Sequence, residues 1–427
     1  MTAIILFASL MILLALSLPI GFSLAMSALI YLLLGGKIPP EIAIQRMVAA
    51  ADSFPLMALP FFILSGNIMQ GGGISRRLIA FVDSLVGWLT GGLSIVTILS
   101  CMFFGAISGS ATATTAAIGS VMIPGMKKKG YEPVFAAAVT ASSGLLGAVI
   151  PPSLMMVTYG TLTGVSVGAL FIGGIVPGCI LGFAMMVVSY FICKKAGYAS
   201  DSKFSLALVG KTFKETLWAL AMPVIVLGGI YGGLFTPTEA AVVAVIYTLI
   251  IAIFVYQEVK LADIPKIFID SAMVSGGIML LVCTASLFGW MITMNRIPQQ
   301  IAELMLSLSD SYIVILFLIN ILLLIVGCFL ESIAAQVILT PILFPLIVKL
   351  GVDPLHFGII VCINICIGTL TPPFGVCLFV ASGLTGIPLE KIARRTLPFL
   401  AILLAILFIL TYLPSVTLFL PNLLQGV

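Results

Sequence analysis

Charge is what this sequence has least of. Only 8% of its 427 residues are Asp, Glu, Lys or Arg, where soluble domains average about 25%. A soluble globular protein of this length is thereby excluded. Histidine is nearly absent, with His356 standing alone. Bis-His haem, a His-based zinc site and most His-dependent catalysis therefore lack ligands or bases. The net charge is a modest +4, and no run of basic residues offers a grip on nucleic acid. None of the 8 cysteines forms a CxxC pair. They lie in or beside apolar segments, with Cys362 and Cys366 on one helical face, and read as small packing hydrophobes. Alternating strand-length segments of about ten residues are missing too, which argues against an outer-membrane barrel.

What the sequence does have is apolar length. Hydrophobic residues make up 61% of it, and the mean hydropathy is +1.30. Apolar windows fall near residues 3–34, 54–70, 93–124, 133–160, 168–193, 216–235, 238–256, 268–293, 313–348, 356–382 and 397–421. Several reach the roughly 20 residues that a bilayer span requires, so the chain is an all-α polytopic membrane protein. The opening stretch has no basic n-region and far outruns a signal h-region, so residues 3–34 read as the first span. Windows 93–124 and 313–348 are too long for one span and are interrupted near their middles, by Gly105 to Thr112 and by Gly327 to Ser332. Both read as re-entrant helical hairpins, because irregular backbone is tolerated at membrane depth only where protein or water satisfies it.

Charge tests this reading. With the hairpins non-crossing and Met1 inside, 15 of the 19 Lys and Arg fall on the inner side. Only Lys37, Arg46, Arg296 and Lys349 fall outside. Counting either hairpin as a span would spoil this positive-inside bias. The expected topology thus has a cytoplasmic N-terminus and a C-terminus on the outer side. Segments 76–90, 203–214 and 298–309 are mixed in polarity and read as interfacial amphipathic helices or as soluble loops, the middle one joining two halves.

The halves are related. A constant shift of 221 residues carries Pro124 onto Pro345, Gly130 onto Gly351, Pro133 onto Pro354, Gly147 onto Gly368, and Pro151-Pro152 onto Pro372-Pro373. All are residues that set backbone shape. After a one-residue slip, Leu162-Thr163-Gly164 matches Leu384-Thr385-Gly386. Lys127 to Lys129 follow the first hairpin on the inner side, whereas Lys349 follows the second on the outer side, so the repeats are inverted, as in secondary transporters. The expected organisation is a first repeat over 1–200, an amphipathic connector and linking helix over 201–235, and a second repeat over 236–427. Each repeat holds one hairpin (93–124, 313–348) and one broken helix (133–160, 356–382).

Each Pro-Pro pair removes two helix donors and pushes the preceding residue out of the α region. A break at that depth frees carbonyls and opposes two half-helix ends. Carbonyls and hydroxyls suit Na+, and helix N-termini suit an anionic substrate group. A mere kink is the plainer reading, weakened by two pairs at symmetric positions. At the first hairpin tip Ser108, Gly109, Ser110, Thr112, Thr114 and Thr115 form a small-residue tract, which small-residue helix packing would also favour. Thr369 and Thr371 precede the second break, with Asn364 earlier on the same segment. Glu331 lies deep in an apolar run, where a carboxylate is functional by default unless it only accepts hydrogen bonds from the tip. A proton-driven carrier would show more such acids; Asp52, Asp83 and Glu239 fall near boundaries, and His356 begins a span.

Taken in order, Gly105-Ala-Ile-Ser-Gly-Ser-Ala-Thr-Ala, Met122-Ile-Pro-Gly-Met, Ala148-Val-Ile-Pro-Pro-Ser, Phe235-Thr-Pro-Thr-Glu-Ala-Ala and Leu370-Thr-Pro-Pro-Phe-Gly resemble the large membrane subunit of tripartite ATP-independent periplasmic (TRAP) transporters. The resemblance runs from Pro19 to Phe399. It implies an elevator-type ion transporter fold and a Na+-coupled importer of the bacterial inner membrane. The partners would be a small four-helix membrane subunit and a periplasmic binding protein that delivers an organic acid, with no cofactor beyond Na+ as coupling ion. Carried onto this chain, one Na+ would lie between Ser108, Gly109, Ser110 and Pro151. Another would lie between Glu331, Ser332, Thr369, Thr371 and Pro372. Substrate would bind between them, against Thr112, Pro152, Ser153, Thr158 and Pro373. Family members carry C4-dicarboxylates, sialic acid and other organic acids, and the general look of the chain leans toward the sialic-acid branch. A standalone Na+/dicarboxylate-type carrier would share the architecture. A passive channel or scaffold would not need inverted repeats, and no cluster of His, Cys and acids supports a membrane enzyme.

Overall fold

The structure, a computed structural model, describes residues 2–35, 39–198, 204–300, 303 and 311–425. Among these, every regular element is a helix, as hydrocarbon demands of a chain that must satisfy its own backbone. Many helices begin at a proline or a hydroxyl cap. Pro133, Pro237 and Pro354 each open one, and Ser166 accepts the Ala169 N–H at 3.2 Å ahead of Val167–Ala196. Thr236 and Glu239 form a reciprocal capping box.

The 3–34 window is not one span. It folds into an antiparallel pair, Thr2–Ala15 and Ile20–Gly35. Ser27 Oγ donates to the Leu6 carbonyl at 2.6 Å, and the Ser9 and Ser27 hydroxyls lie 2.9 Å apart. The chain reverses at Ser17, whose φ is 62°, ahead of Pro19. Hydropathy misses this turn because Leu16 and Leu18 keep the window apolar across it.

The hairpins and broken helices stand where the sequence places them. Gly92–Ser108 and Ala111–Lys128 form the first hairpin, and Tyr312–Phe329 and Ser332–Lys349 the second. The 221-residue shift carries Ala111–Lys128 onto Ser332–Lys349 end for end. The first broken helix comprises Pro133–Gly144, Leu146–Val149 and, past the break, Leu154–Thr163. The second comprises Pro354–Gly368 and Val376–Thr385. Both Pro-Pro bonds are cis.

From Phe204 on, the mixed 203–214 stretch runs into the following span as the single helix Leu206–Tyr231. Its Thr212 and Thr216 face the surface helix Ile74–Val86: the Thr212 and Ser84 hydroxyls are 2.9 Å apart, and Thr216 Oγ1 donates to the Arg77 carbonyl at 3.0 Å. The 298–309 stretch lies largely outside the described residues. The last window becomes Leu389–Tyr412 followed by two short helices, Pro414–Thr417 and Phe419–Gln425.

Two helix groups result. Ala58–Gly71, Pro237–Ile250, Ile264–Met294 and the N-terminal pair pack with one another. The hairpins and broken helices pack with Val167–Ala196 and Leu389–Tyr412. Glycine sets the spacing where the groups meet: a Cβ on Gly66 would lie 3.4 Å from Ser108 Cα, and one on Gly289 would lie 3.2 Å from Pro341.

Candidate functional site

The first hairpin turns at Gly109, in left-handed backbone with φ 62°. Its carbonyl accepts the Leu154 N–H at 3.2 Å, across the break of the neighbouring helix. A Cβ at Gly109 would sit 2.8 Å from the Pro152 carbonyl oxygen, so the tip lies directly on the Pro151-Pro152 break. Ser110 caps the returning arm by accepting the Ala113 N–H at 3.4 Å. The Ser108 and Thr114 hydroxyls are 2.8 Å apart, and those of Ser110 and Thr112 are 3.1 Å apart. Past the break, Ser153 caps Leu154–Thr163 and donates its hydroxyl to the Ala148 carbonyl. Pro151, Pro152 and Ser153 are all buried.

The second tip differs. Glu331 is the N-cap of Ser332–Lys349, and its Oε2 accepts the Ile333 and Ala334 N–H groups at 3.0 and 3.2 Å. A carboxylate suits this position, where the helix dipole and unpaired N–H groups favour negative charge.

The tips face each other. Gly109, Ser110, Thr112, Glu331 and Ser332 share a cleft of about 30 Å³, room for an occupant the size of a water or a bare ion. That cleft adjoins a cavity of about 660 Å³ between the two helix groups. Ser108, Ser110, Thr112 and Glu331 line one wall, with Leu154 and Val380. Gly66, Asn67, Met273, Val274 and Gly277 line the other. Among the described residues, Glu331 is the one charged group on the lining, and no Lys, Arg or His lines it.

The expected site residues are not all brought together. Ser108, Gly109, Ser110, Thr112, Pro151, Pro152, Ser153, Glu331 and Ser332 gather around the two tips. Thr158 does not line the cavity; it is buried, and its hydroxyl donates to the Leu154 carbonyl at 2.9 Å. Thr369 is buried and donates to the Cys366 carbonyl at 2.6 Å, and Thr371 turns back toward the Ile367 carbonyl. Pro372 and Pro373 are exposed and line a separate cavity of about 450 Å³ with Arg394. Among the described residues, no backbone hydrogen bond joins the second tip to its break. Phe329 reaches Phe374 edge-on instead, at 6.3 Å.

Asn67 is the polar lining residue that sequence reasoning missed. Its Nδ2 donates to Ser271 Oγ at 2.8 Å, tying Ala58–Gly71 to Ile264–Met294 at the cavity wall. The available signal was Ser65-Gly66-Asn67, a polar interruption in the apolar 54–70 window.

A duplicated helical membrane fold whose two hairpin tips face a central cavity, the first of them seated on its helix break, defines a transporter of the secondary-carrier architecture. The family described as tripartite ATP-independent periplasmic transporter, DctM component, matches residues 7–416. The chain belongs to that family. It is 45% identical over 377 residues to the C4-dicarboxylate TRAP transporter large permease protein DctM of Pseudomonas aeruginosa, covering 88% of each. It is 40% identical to the sialic acid TRAP transporter large permease protein SiaM of Vibrio cholerae, covering 96% of each. The isethionate TRAP transporter permease protein DctMQ of Oleidesulfovibrio alaskensis is 45% identical over 97% of this chain, which spans 66% of that relative's length. The fold is also that of the YdaH transporter of Alcanivorax borkumensis, with a TM-score of 0.64, 16% identity and 86% of each chain covered.

Proposed function

We propose that this chain is the large membrane subunit of a Na+-coupled importer of an organic acid, of the sialic acid or C4-dicarboxylate class. One observation carries the reading: two hairpin tips rich in oxygen face each other across a small cleft, on the wall of a larger cavity between two helix groups. Hydroxyls of Ser108, Ser110 and Thr112, the carbonyls at the Pro151-Pro152 break and the Glu331 carboxylate are hard oxygen donors, suited to a cation such as Na+. With no basic side chain among the described residues of the lining, bound Na+ and the helix N-terminus behind Ser110 supply the positive charge that meets the substrate's acid group.

The body of hairpins and broken helices then carries ion and substrate past the other group as an elevator. A periplasmic binding protein delivers the acid, and a small membrane subunit completes the permease. The chain sits in the bacterial inner membrane with Lys127 to Lys129 and Lys391 to Arg395 toward the cytoplasm and its C-terminus outside. The sequence alone led to a cytoplasmic N-terminus; with the antiparallel N-terminal pair we instead propose an N-terminus outside as well.

Organic-acid uptake into proteoliposomes, with and without an inward Na+ gradient and a matched binding protein, tests the reading. Uptake should require both. Uptake that needs Na+ but no binding protein would identify a standalone carrier, and uptake indifferent to Na+ would remove the coupling.

A further inference from the structure

The two halves of the duplication cover their breaks differently. In the first, helix Val167–Ala196 presents glycine to the break. A Cβ on Gly174 would lie 2.4 Å from Met156 and 3.1 Å from the Val149 carbonyl, and one on Gly178 would lie 2.7 Å from Ile150. The helix therefore lies flush, and Pro151 and Pro152 are sealed. In the second half the corresponding helix, Leu389–Tyr412, presents Leu389, Ala393, Arg394, Leu397 and Leu400 instead. These side chains hold it away from Pro372 and Pro373 and leave the cavity of about 450 Å³.

That cavity shares no lining residue with the cavity at the hairpin tips. Its throat is apolar, from Leu370 and the two prolines to Leu397 and Leu400, and among the described residues charge appears only at Glu390 and Arg394. Arg394 has no ion pair among the described residues, whereas its neighbour Arg395 is held by Glu132 at 2.8 Å. The surrounding surface is apolar and open: Phe374, Phe379 and Leu397 are each more than half exposed. A broken helix opening onto hydrocarbon needs its freed backbone groups covered.

We propose that this cavity binds an anionic phospholipid of the leaflet on the Lys391–Arg395 side. The phosphate sits on the Arg394 guanidinium, whose planar fork matches it. One acyl chain follows Leu389, Leu397 and Leu400 inward and covers the Pro372-Pro373 break. Glu390 at the mouth repels a doubly charged headgroup and accepts hydrogen bonds from a hydroxylated one, which makes phosphatidylglycerol the fitting occupant. A short polar acid would leave the apolar throat uncovered.

The test is lipid retention by the full chain, reconstituted in nanodiscs of phosphatidylcholine with or without phosphatidylglycerol and read by native mass spectrometry after extraction. The wild type should keep one phosphatidylglycerol per chain. Arg394→Gln should bind it about fivefold more weakly, the worth of one arginine at an anionic surface. Lys391→Gln, outside the lining, should bind as the wild type does. Should Arg394→Gln fail to fold, Leu400→Trp fills the throat with the arginine intact and should also lose the lipid. Equal retention by wild type and both variants would overturn the proposal. So would phosphatidylcholine held as firmly as phosphatidylglycerol, or displacement of the bound species by succinate. None of these readouts depends on transport.

Discussion

Gly105 and Gly147 meet backbone to backbone, so closely that a Cβ on Gly105 would lie 2.7 Å from Gly147 Cα. The first arm of the first hairpin crosses the broken helix at this point, one turn before Gly109 reaches the break. Gly327 and Gly368 repeat the crossing in the second half, where a Cβ on Gly368 would lie 2.7 Å from Gly327 Cα. In a bilayer no hydrophobic force drives helices together, so close backbone approach through small residues does that work.

Gly147→Ala should therefore destabilise the protein by about 1–3 kcal/mol, the usual cost of forcing a methyl group into a packed interior. Its Cβ would fall 2.1 Å from Thr114 Oγ1 and 2.7 Å from the Ser110 carbonyl, with no flexible side-chain end to yield. Gly125→Ala is the matched control, because nothing lies within 4 Å of a Cβ there, and it should stay within about 0.5 kcal/mol. Thermal unfolding of the purified variants reads both. Equal midpoints would show that the crossing tolerates a methyl group.

The first tip should be intolerant of bulk for a separate reason. Gly109→Ala combines left-handed backbone, costing roughly 1–2 kcal/mol for an L-residue, with a Cβ 2.8 Å from the Pro152 oxygen. Ser110→Phe would place a ring in the cleft facing Glu331, and Ser108→Phe one at the wall of the adjoining cavity. Each should abolish uptake while leaving the amount of protein in the membrane unchanged. Retained uptake by the serine variants would take the tip out of the mechanism.

Glycine and proline made the architecture legible. The 221-residue register is written almost entirely in residues that dictate backbone shape, so it located both hairpins and both breaks without any knowledge of contacts. Contacts were what the sequence withheld. Nothing local distinguishes Thr158, whose hydroxyl is spent inside its own helix, from Thr112, which lines the cavity. Nor does the symmetry of the two Pro-Pro pairs reveal that one is sealed by Gly174 and Gly178 and the other is open. The bond by which Ser271 holds the lining residue Asn67 joins segments 204 residues apart, a pairing that no periodicity encodes.

The N-terminal pair gives a topological prediction. Because Leu6 and Ser27 are neighbours, the start of the chain and Gly35 emerge at the same end of the pair. A protease-cleavable tag ahead of Met1 should be cut in spheroplasts, without permeabilisation. Protection there, with cleavage only after lysis, would return the segment to a single crossing or invert the whole orientation.

Glu331 offers the sharpest separation of structure from function. Two backbone N–H groups depend on its Oε2, and it is also the one charge on the cavity lining among the described residues. Glu331→Ala removes both roles and should cost about 1 kcal/mol of stability through the lost cap. Glu331→Gln keeps an amide oxygen to accept the same bonds, so it should unfold within about 0.5 kcal/mol of the wild type. If the carboxylate holds Na+, the Gln variant should still need about tenfold more Na+ for half-maximal uptake, an effect of roughly 1.4 kcal/mol on ion binding. Na+ titration of proteoliposome uptake, paired with unfolding of the same preparations, distinguishes the two roles. An unshifted Na+ dependence in Glu331→Gln would leave this residue as a helix cap and leave Na+ to neutral hydroxyl and carbonyl oxygens alone.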